Sequence, residues 1–298
     1  MDMLTTLDLQ QWKASGQYYH FYGNLKGHDI FYRIQGQGEA LLLIHGFPSC
    51  SWDWHKISKQ LSQHYQIISF DLLGFGFSDK PQQHHYTIFE QADIAEALLT
   101  KLNIDSCHIL AHDYGDTVFQ ELLARQIEGR LSFSMRSAAM LNGGIFHGVH
   151  HPLLAQKLLI SPLGGIASRL MSQATFNHSF KKIFGKNTQP STPELNQLWQ
   201  ANSYQNGLRN AHLIIRYMDE RKQYAKRWGG ALLNSPIPLR LIDGVADPIS
   251  GGHLSDYYEA NMPAPDSVRL EGIGHYPQLE APELVLKYYF EFINNLKQ

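Results

Sequence analysis

The chain has 298 residues, with 25 Lys and Arg against 27 Asp and Glu, 43% hydrophobic residues and 17% charged ones. That balance suits a globular protein with a sizeable core, and the absence of a basic stripe argues against nucleic acid as a partner. No apolar run approaches a membrane span, and Cys50 and Cys107, the only cysteines, form neither a disulfide framework nor a thiolate zinc site. The opening MDMLTTLDLQQWKASG lacks a basic segment followed by an apolar stretch, so it does not read as a secretion signal. The expectation is a reduced, cytoplasmic protein that needs no metal or cofactor.

Short apolar runs bounded by turn residues alternate with helix-length segments, which predicts an α/β chain with a mainly parallel sheet. Tyr18–Tyr22 and His28–Ile34 read as an antiparallel pair around a turn from Gly23 and Asn24 to Gly27. Ala40–Ile44 is apolar throughout, as a strand buried on both faces should be. Ile67–Asp71 is the next strand, and Phe89–Leu102 an amphipathic helix with Ile94, Leu98 and Leu102 on one face. Ser106–Ala111 is a strand followed at once by a helix over Gly115–Arg125, and Ala138–Leu141 ends another strand. From residue 142 to about 230 the chain has scattered Pro and Gly, helical pieces such as Leu153–Ile160 and Leu208–Tyr217, and no convincing strand. This stretch reads as a helical lid inserted into a core made of residues 1–141 and 231–298. Strands resume at Pro238–Asp243 and Ser267–Glu271, and a helix over Pro282–Leu296 closes the chain.

Chemistry concentrates at strand ends. Ile109-Leu-Ala-His-Asp-Tyr-Gly-Asp116 runs from a strand through a sharp turn into a helix, the layout that lifts a nucleophile above a sheet. The raised position holds Asp113, with the small residues Ala111 and Gly115 two places to either side. An aspartate there is also a good helix cap, so the segment alone leaves both roles open. Asp247 and His275 each follow a later strand end, and the order Asp113, Asp247, His275 is that of nucleophile, acid and histidine in this kind of fold. Asp243 is the competing acid, but it should still lie within its strand. The loop His45-Gly-Phe-Pro48 offers the Phe47 N–H as an oxyanion donor beside that of Tyr114. His45 and His112 read as packing residues, and Asp116 as a partner of the helix dipole.

HGFP at 45–48, DLLGFGFSDKP at 71–81, HDYGD at 112–116 and the Asp247/His275 pair resemble the epoxide hydrolase and haloalkane dehalogenase branch of the α/β-hydrolases. HHYTIFEQA, HDYGDTVFQELL and NGGIF are similar, more narrowly, to the mesoderm-specific transcript protein family. The resemblance implies an α/β-hydrolase fold with a mostly parallel eight-stranded sheet and an inserted lid. It implies a hydrolase in which Asp113 forms an alkyl ester that a water activated by His275 then hydrolyses, on a small to medium apolar substrate. In epoxide hydrolases lid tyrosines hold the ring oxygen; Tyr217 resembles one of them, and Tyr204 or Tyr224 would have to replace the other. Dehalogenases place a tryptophan after the nucleophile, where this chain has Tyr114, although Trp52, Trp54 or Trp199 could serve. A haloalkane dehalogenase is therefore the alternative enzyme, and a ligand-binding protein on a hydrolase fold the alternative of another class. Phe146, Leu153, Leu158, Phe176, Phe180, Leu198, Trp199 and Leu213 are the residues expected to line an apolar pocket.

Overall fold

A computed structural model describes residues 6–23 and 27–297. Eight strands form one sheet: β1 Gln17–Tyr22, β2 Gly27–Gln35, β3 Glu39–Ile44, β4 Tyr65–Phe70, β5 Ser106–His112, β6 Ser134–Leu141, β7 Leu239–Gly244 and β8 Ser267–Leu270. Their spatial order is β1-β2-β4-β3-β5-β6-β7-β8. The β1–β2 and β2–β4 pairs are antiparallel, and every other pair is parallel. This is the mostly parallel eight-stranded sheet expected from the sequence; the turn between β1 and β2 lies partly outside the described residues.

The alternation of side chains explains why the middle strands are apolar at every position. In β3, Leu42 and Ile44 join one buried cluster while Leu41 and Leu43 join the other; in β5, Ile109 and Ala111 face one side and Leu110 the opposite. Both faces are covered, so period-two patterning gives way to continuous apolar runs. From β3 the chain moves outward to β4, then crosses back through the helix Ile88–Lys101 to β5 on the other side of β3. Loops leaving the carboxyl ends of β3 and β5 therefore diverge, and ligands of open α/β sheets bind at such a switch point.

One short helix was not expected. Leu9–Ala14 is held by a reciprocal cap, Asp8 accepting from the Gln11 N–H while the Gln11 side chain takes the Asp8 N–H, and it buries Leu9 and Trp12. Between Leu141 and Leu239 the described chain contains helices and no strand. The expected helical piece Leu208–Tyr217 is broken. Gln205 and Asn206 take left-handed backbone angles, a 3-10 turn covers Tyr204–Asn210, the short helix Ala211–Ile214 follows, and Tyr217 opens a separate helix that ends at Gln223. No helix among the described residues is long and apolar enough to cross a membrane.

Candidate active site

β5 ends at His112 and the helix Tyr114–Ile127 begins two residues on, so Asp113 alone makes the reversal. Its backbone stands at φ 49° and ψ −102°, a conformation that costs about 1–3 kcal/mol and persists only where the surroundings dictate it. They do so here by close approach. A Cβ on Gly115 would come within 2.2 Å of the Ile44 carbonyl oxygen, and one on Gly46 within 3.0 Å of the Asp113 Cβ. The Asp113 side chain makes no capping hydrogen bond to its own helix. Its Oδ2 instead accepts the Phe47 N–H at 3.1 Å. The Tyr114 ring is fully buried, packed edge-on against Phe75 and Tyr217.

His275 follows β8, and its Nδ1 lies 2.7 Å from Asp247 Oδ2. Asp247 is itself fixed: Oδ1 accepts the Ile249 N–H, and Oδ2 the Ser250 N–H and hydroxyl and the Asn142 amide. Burial opposes ionisation of Asp247, but the His275 charge and these donors outweigh it and hold its pKa below the ordinary value. For His275 the contest runs likewise. Burial disfavours the imidazolium, Asp247 and then Asp113 favour it, and the pKa rises to about 9. Asp243 is engaged elsewhere, accepting from the Ser255 hydroxyl at 2.5 Å, and burial pushes its pKa to about 7. Of the two acids, Asp247 is the one that holds the imidazole.

The remaining histidines of the strand ends are scaffolding. His45 Nε2 accepts the Leu72 N–H at 3.0 Å, and His112 Nε2 donates to the His275 carbonyl at 2.7 Å. Both are buried, and burial lowers both pKa values, that of His112 to about 3. DLLGFGFSDKP is likewise a knot of loop bonds. Asp71 accepts the Ser51 and Phe77 N–H groups, and Lys80 donates to the Gly76 and Ser78 carbonyls.

The two lid tyrosines part company. Tyr217 is buried, packed on Tyr114 and within 6.1 Å of Phe47 ring to ring. Tyr204 lies instead against Phe77, with the Lys13 ammonium 4.2 Å above its ring. It is not brought to Asp113, because the left-handed turn at Gln205 and Asn206 directs that end of the helix Thr192–Ser203 onto the N-terminal elements. Tyr224 packs on Phe89 and Trp228.

Arg221 is the group that sequence reasoning missed. It is one helical turn beyond Tyr217, buried, with its guanidinium 4.5 Å over the Tyr217 ring. Its Nε donates to the Thr117 hydroxyl at 2.7 Å and its Nη2 to the Asp113 carbonyl at 2.9 Å, while Nη2 stands 3.5 Å from Asp113 Oδ1. The i,i+4 spacing with Tyr217 is the one signal that could have pointed to it. The NGGIF segment makes room for this arrangement. Asn142 bonds Gly244 on both sides of its amide as well as Asp247. A Cβ on Gly143 would strike Asp116 Oδ2 and Asp113 Cα, and one on Gly144 would sit 2.5 Å from Arg221 Nη1. Asp116, expected as a partner of the helix dipole, is fully buried. Both its oxygens are buried without a hydrogen-bond partner among the described residues, and burial first, then the Asp113 charge, push its pKa well up.

A cavity of about 100 Å³ has Leu153, Leu159, Phe176 and Phe180, from the helical stretch after β6, on one side and Phe47 and His275, from loops at strand ends, on the other. With Nδ1 given to Asp247, the Nε2 edge of His275 is left for this space. Of the residues expected to line it, Leu153, Phe176 and Phe180 do so, whereas Leu158 faces solvent and Phe146 packs on Tyr257.

The alpha/beta hydrolase fold family model matches residues 39–282. The mesoderm-specific transcript homolog protein of Bos taurus is 41% identical over 96% of this chain and 88% of its own length. A cis-3-alkyl-4-alkyloxetan-2-one decarboxylase of Shewanella oneidensis is 25% identical over 90% of this chain and 86% of its own. In three dimensions, haloalkane dehalogenase DbeA from Bradyrhizobium elkani aligns with TM-score 0.77 at 23% identity, covering 95% of this chain and 99% of that one, a likeness of fold.

Proposed function

The chain belongs to the alpha/beta hydrolase fold family, and within it to the group of the mesoderm-specific transcript proteins, and from that premise we propose that it opens strained oxygen rings through an ester on Asp113. The observation that carries this reading is the company Asp113 keeps: an oxyanion donor at Oδ2, a carboxylate-bound imidazole nearby, and a cation at Oδ1. In the first step an Asp113 oxygen attacks a ring carbon of an epoxide and the C–O bond breaks towards oxygen. Tyr217, whose hydroxyl burial keeps protonated, supplies the proton to that oxygen, and Arg221 holds the developing charge. In the second step His275 takes a proton from water and the hydroxide adds to the ester carbonyl. The oxyanion is met by the Phe47 and Tyr114 N–H groups; its collapse breaks the ester C–O bond, the diol leaves with the proton returned from His275, and the Asp113 carboxyl so formed gives its proton back to the Tyr217 phenolate.

Two features support the order of events. Esterifying Asp113 removes a negative charge that raises the His275 pKa, so the imidazole becomes a base when a base is needed. The same step strips Arg221 of its carboxylate partner, and a buried cation left alone is costly. The phenolate left on Tyr217 once it has protonated the ring oxygen, with the guanidinium 4.5 Å over its ring, replaces it. This favours oxygen leaving groups over halide. The tryptophan N–H groups give halide little help, since Trp52 Nε1 donates to the Leu7 carbonyl and Trp54 is wholly buried. Arg221 also favours a second reading, a β-lactone ring whose opened end is a carboxylate, since the guanidinium fork suits a carboxylate well; the Shewanella oneidensis relative is named for oxetan-2-one substrates.

His275→Gln should stall the second step. Incubated with an alkyl epoxide, a 1-bromoalkane and a 3,4-dialkyl-oxetan-2-one, it should accumulate an adduct on the peptide containing Asp113, visible by mass spectrometry, with one of the oxygen rings but not the bromide. Adduct with the bromide alone would establish a dehalogenase, and neither adduct nor wild-type turnover on any of the three would leave a ligand-binding protein.

A further inference from the structure

Charge is unevenly spread along this chain of net −2. Residues 142–193 contain no Asp or Glu, but hold Lys157, Arg169, Lys181, Lys182 and Lys186, all exposed. The same segment carries a hairpin of two helices, Leu154–Ile160 and Gly164–Leu170. Leu154 and Leu158 lie one turn apart on the first; Leu163, Ile166 and Leu170 follow at i, i+3 and i+7 on the second, so each helix presents an apolar stripe. These stripes face water, with Leu154 at 83% and Leu170 at 76% exposure. Single exposed leucines need no explanation, but five large apolar side chains on one hairpin mark a surface that something covers. The opposite edge of the first helix, through Leu153 and Leu159, lines the cavity.

We infer that this hairpin docks on a lipid surface bearing anionic headgroups and opens the cavity towards it. Apolar stripes on helices that themselves carry Lys157 and Arg169 and no acid are what an interfacial helix pair requires. A second copy of the chain would set five cations against five, which disfavours self-association. The two hairpin helices have 7 residues each, too few to span a bilayer, so the contact lies on the surface. An apolar substrate dissolved in lipid then reaches the cavity beneath the hairpin without crossing water.

The test is sedimentation with vesicles of phosphatidylcholine alone, and with a third of it replaced by phosphatidylglycerol. The protein should bind the anionic vesicles and bind phosphatidylcholine weakly. Leu154→Asp with Leu170→Asp should weaken binding by more than about tenfold, and Lys157→Gln with Arg169→Gln by about fivefold per charge. Both double variants should unfold thermally as the wild type does, because the replaced side chains are exposed. Absence of wild-type binding, or unchanged binding by the leucine variant, would overturn the inference. So would a dimer in analytical ultracentrifugation that the leucine variant dissociates. Vesicle binding is read without turnover, so its failure leaves the proposed ring-opening chemistry standing.

Discussion

On the sheet side of the site, Asp113, Phe47 and His275 each sit within a few residues of a strand end, and short-range geometry fixes them; Phe47 and His275 also line the cavity. Asp113 is held by a forced backbone turn, and His275 by a carboxylate that four local or strand-end donors saturate. On the facing side of Asp113, Tyr217 and Arg221 share one turn of a short helix, and Arg221 is anchored by bonds to Thr117 and Asp113, more than a hundred residues away. The sheet wall is specified by its own sequence neighbourhood; the lid wall is specified only once the chain has folded. In the proposed reaction, attack and ester hydrolysis belong to the first wall, and departure of the leaving group to the second.

That division can be broken or sharpened by measurement. The largest effect should come from the sheet wall: Asp113→Ala should lower kcat/KM for an epoxide or lactone about ten-thousandfold, with the fold intact by circular dichroism. On the lid wall, Arg221→Met should reduce kcat about a hundredfold by slowing ester formation in single-turnover assays. Arg221→Lys should fail to restore it, because a lysine cannot reach Thr117 and Asp113 together; a full rescue would reduce Arg221 to mere charge. Gly144→Ala should give a milder loss of the same kind, about tenfold, since the added methyl group displaces Arg221 Nη1 without touching His275.

A smaller effect concerns stability. His275 titrates at 6.5 ordinarily and at about 9 when folded. Its raised pKa therefore adds stability that is complete below about pH 6.5 and is lost as pH climbs through about 9. Urea midpoints across that range should fall for the wild type and stay flatter for His275→Gln, the two curves converging on the alkaline side. The smallest effect is Tyr204→Phe, expected to leave kcat within about twofold, because its ring packs on Phe77 and Lys13.

Legibility followed the same divide. Strand ends carry information in a few consecutive residues: a small-residue turn raised Asp113 as a candidate, and the acid and histidine past later strands fell in the same order. The choice of Asp247 over Asp243 rested on where a strand stops, a local matter. Arg221 carried no such signal, because nothing in Tyr217–Gln223 says which distant element that helix will face. Tyr204 was misplaced since a break at Gln205 and Asn206, neither of them glycine, is invisible to helical periodicity. Leu158 looked like pocket lining because apolar character does not say which side of a lid helix faces inward. Asp116 looked charged because its burial depends on Gly143, across the elbow.

Tyr217 and Arg221 occupy a single turn of one rigid piece, and this has a kinetic corollary. On the proposed mechanism, a swing of that helix would withdraw the proton source and the counter-charge together, leaving Asp113 with Phe47 and His275 alone. If the two act as proposed, a half-open form would lack both at once: admission of a guest and readiness to react would exclude one another, and each cycle would pass through a fully shut form.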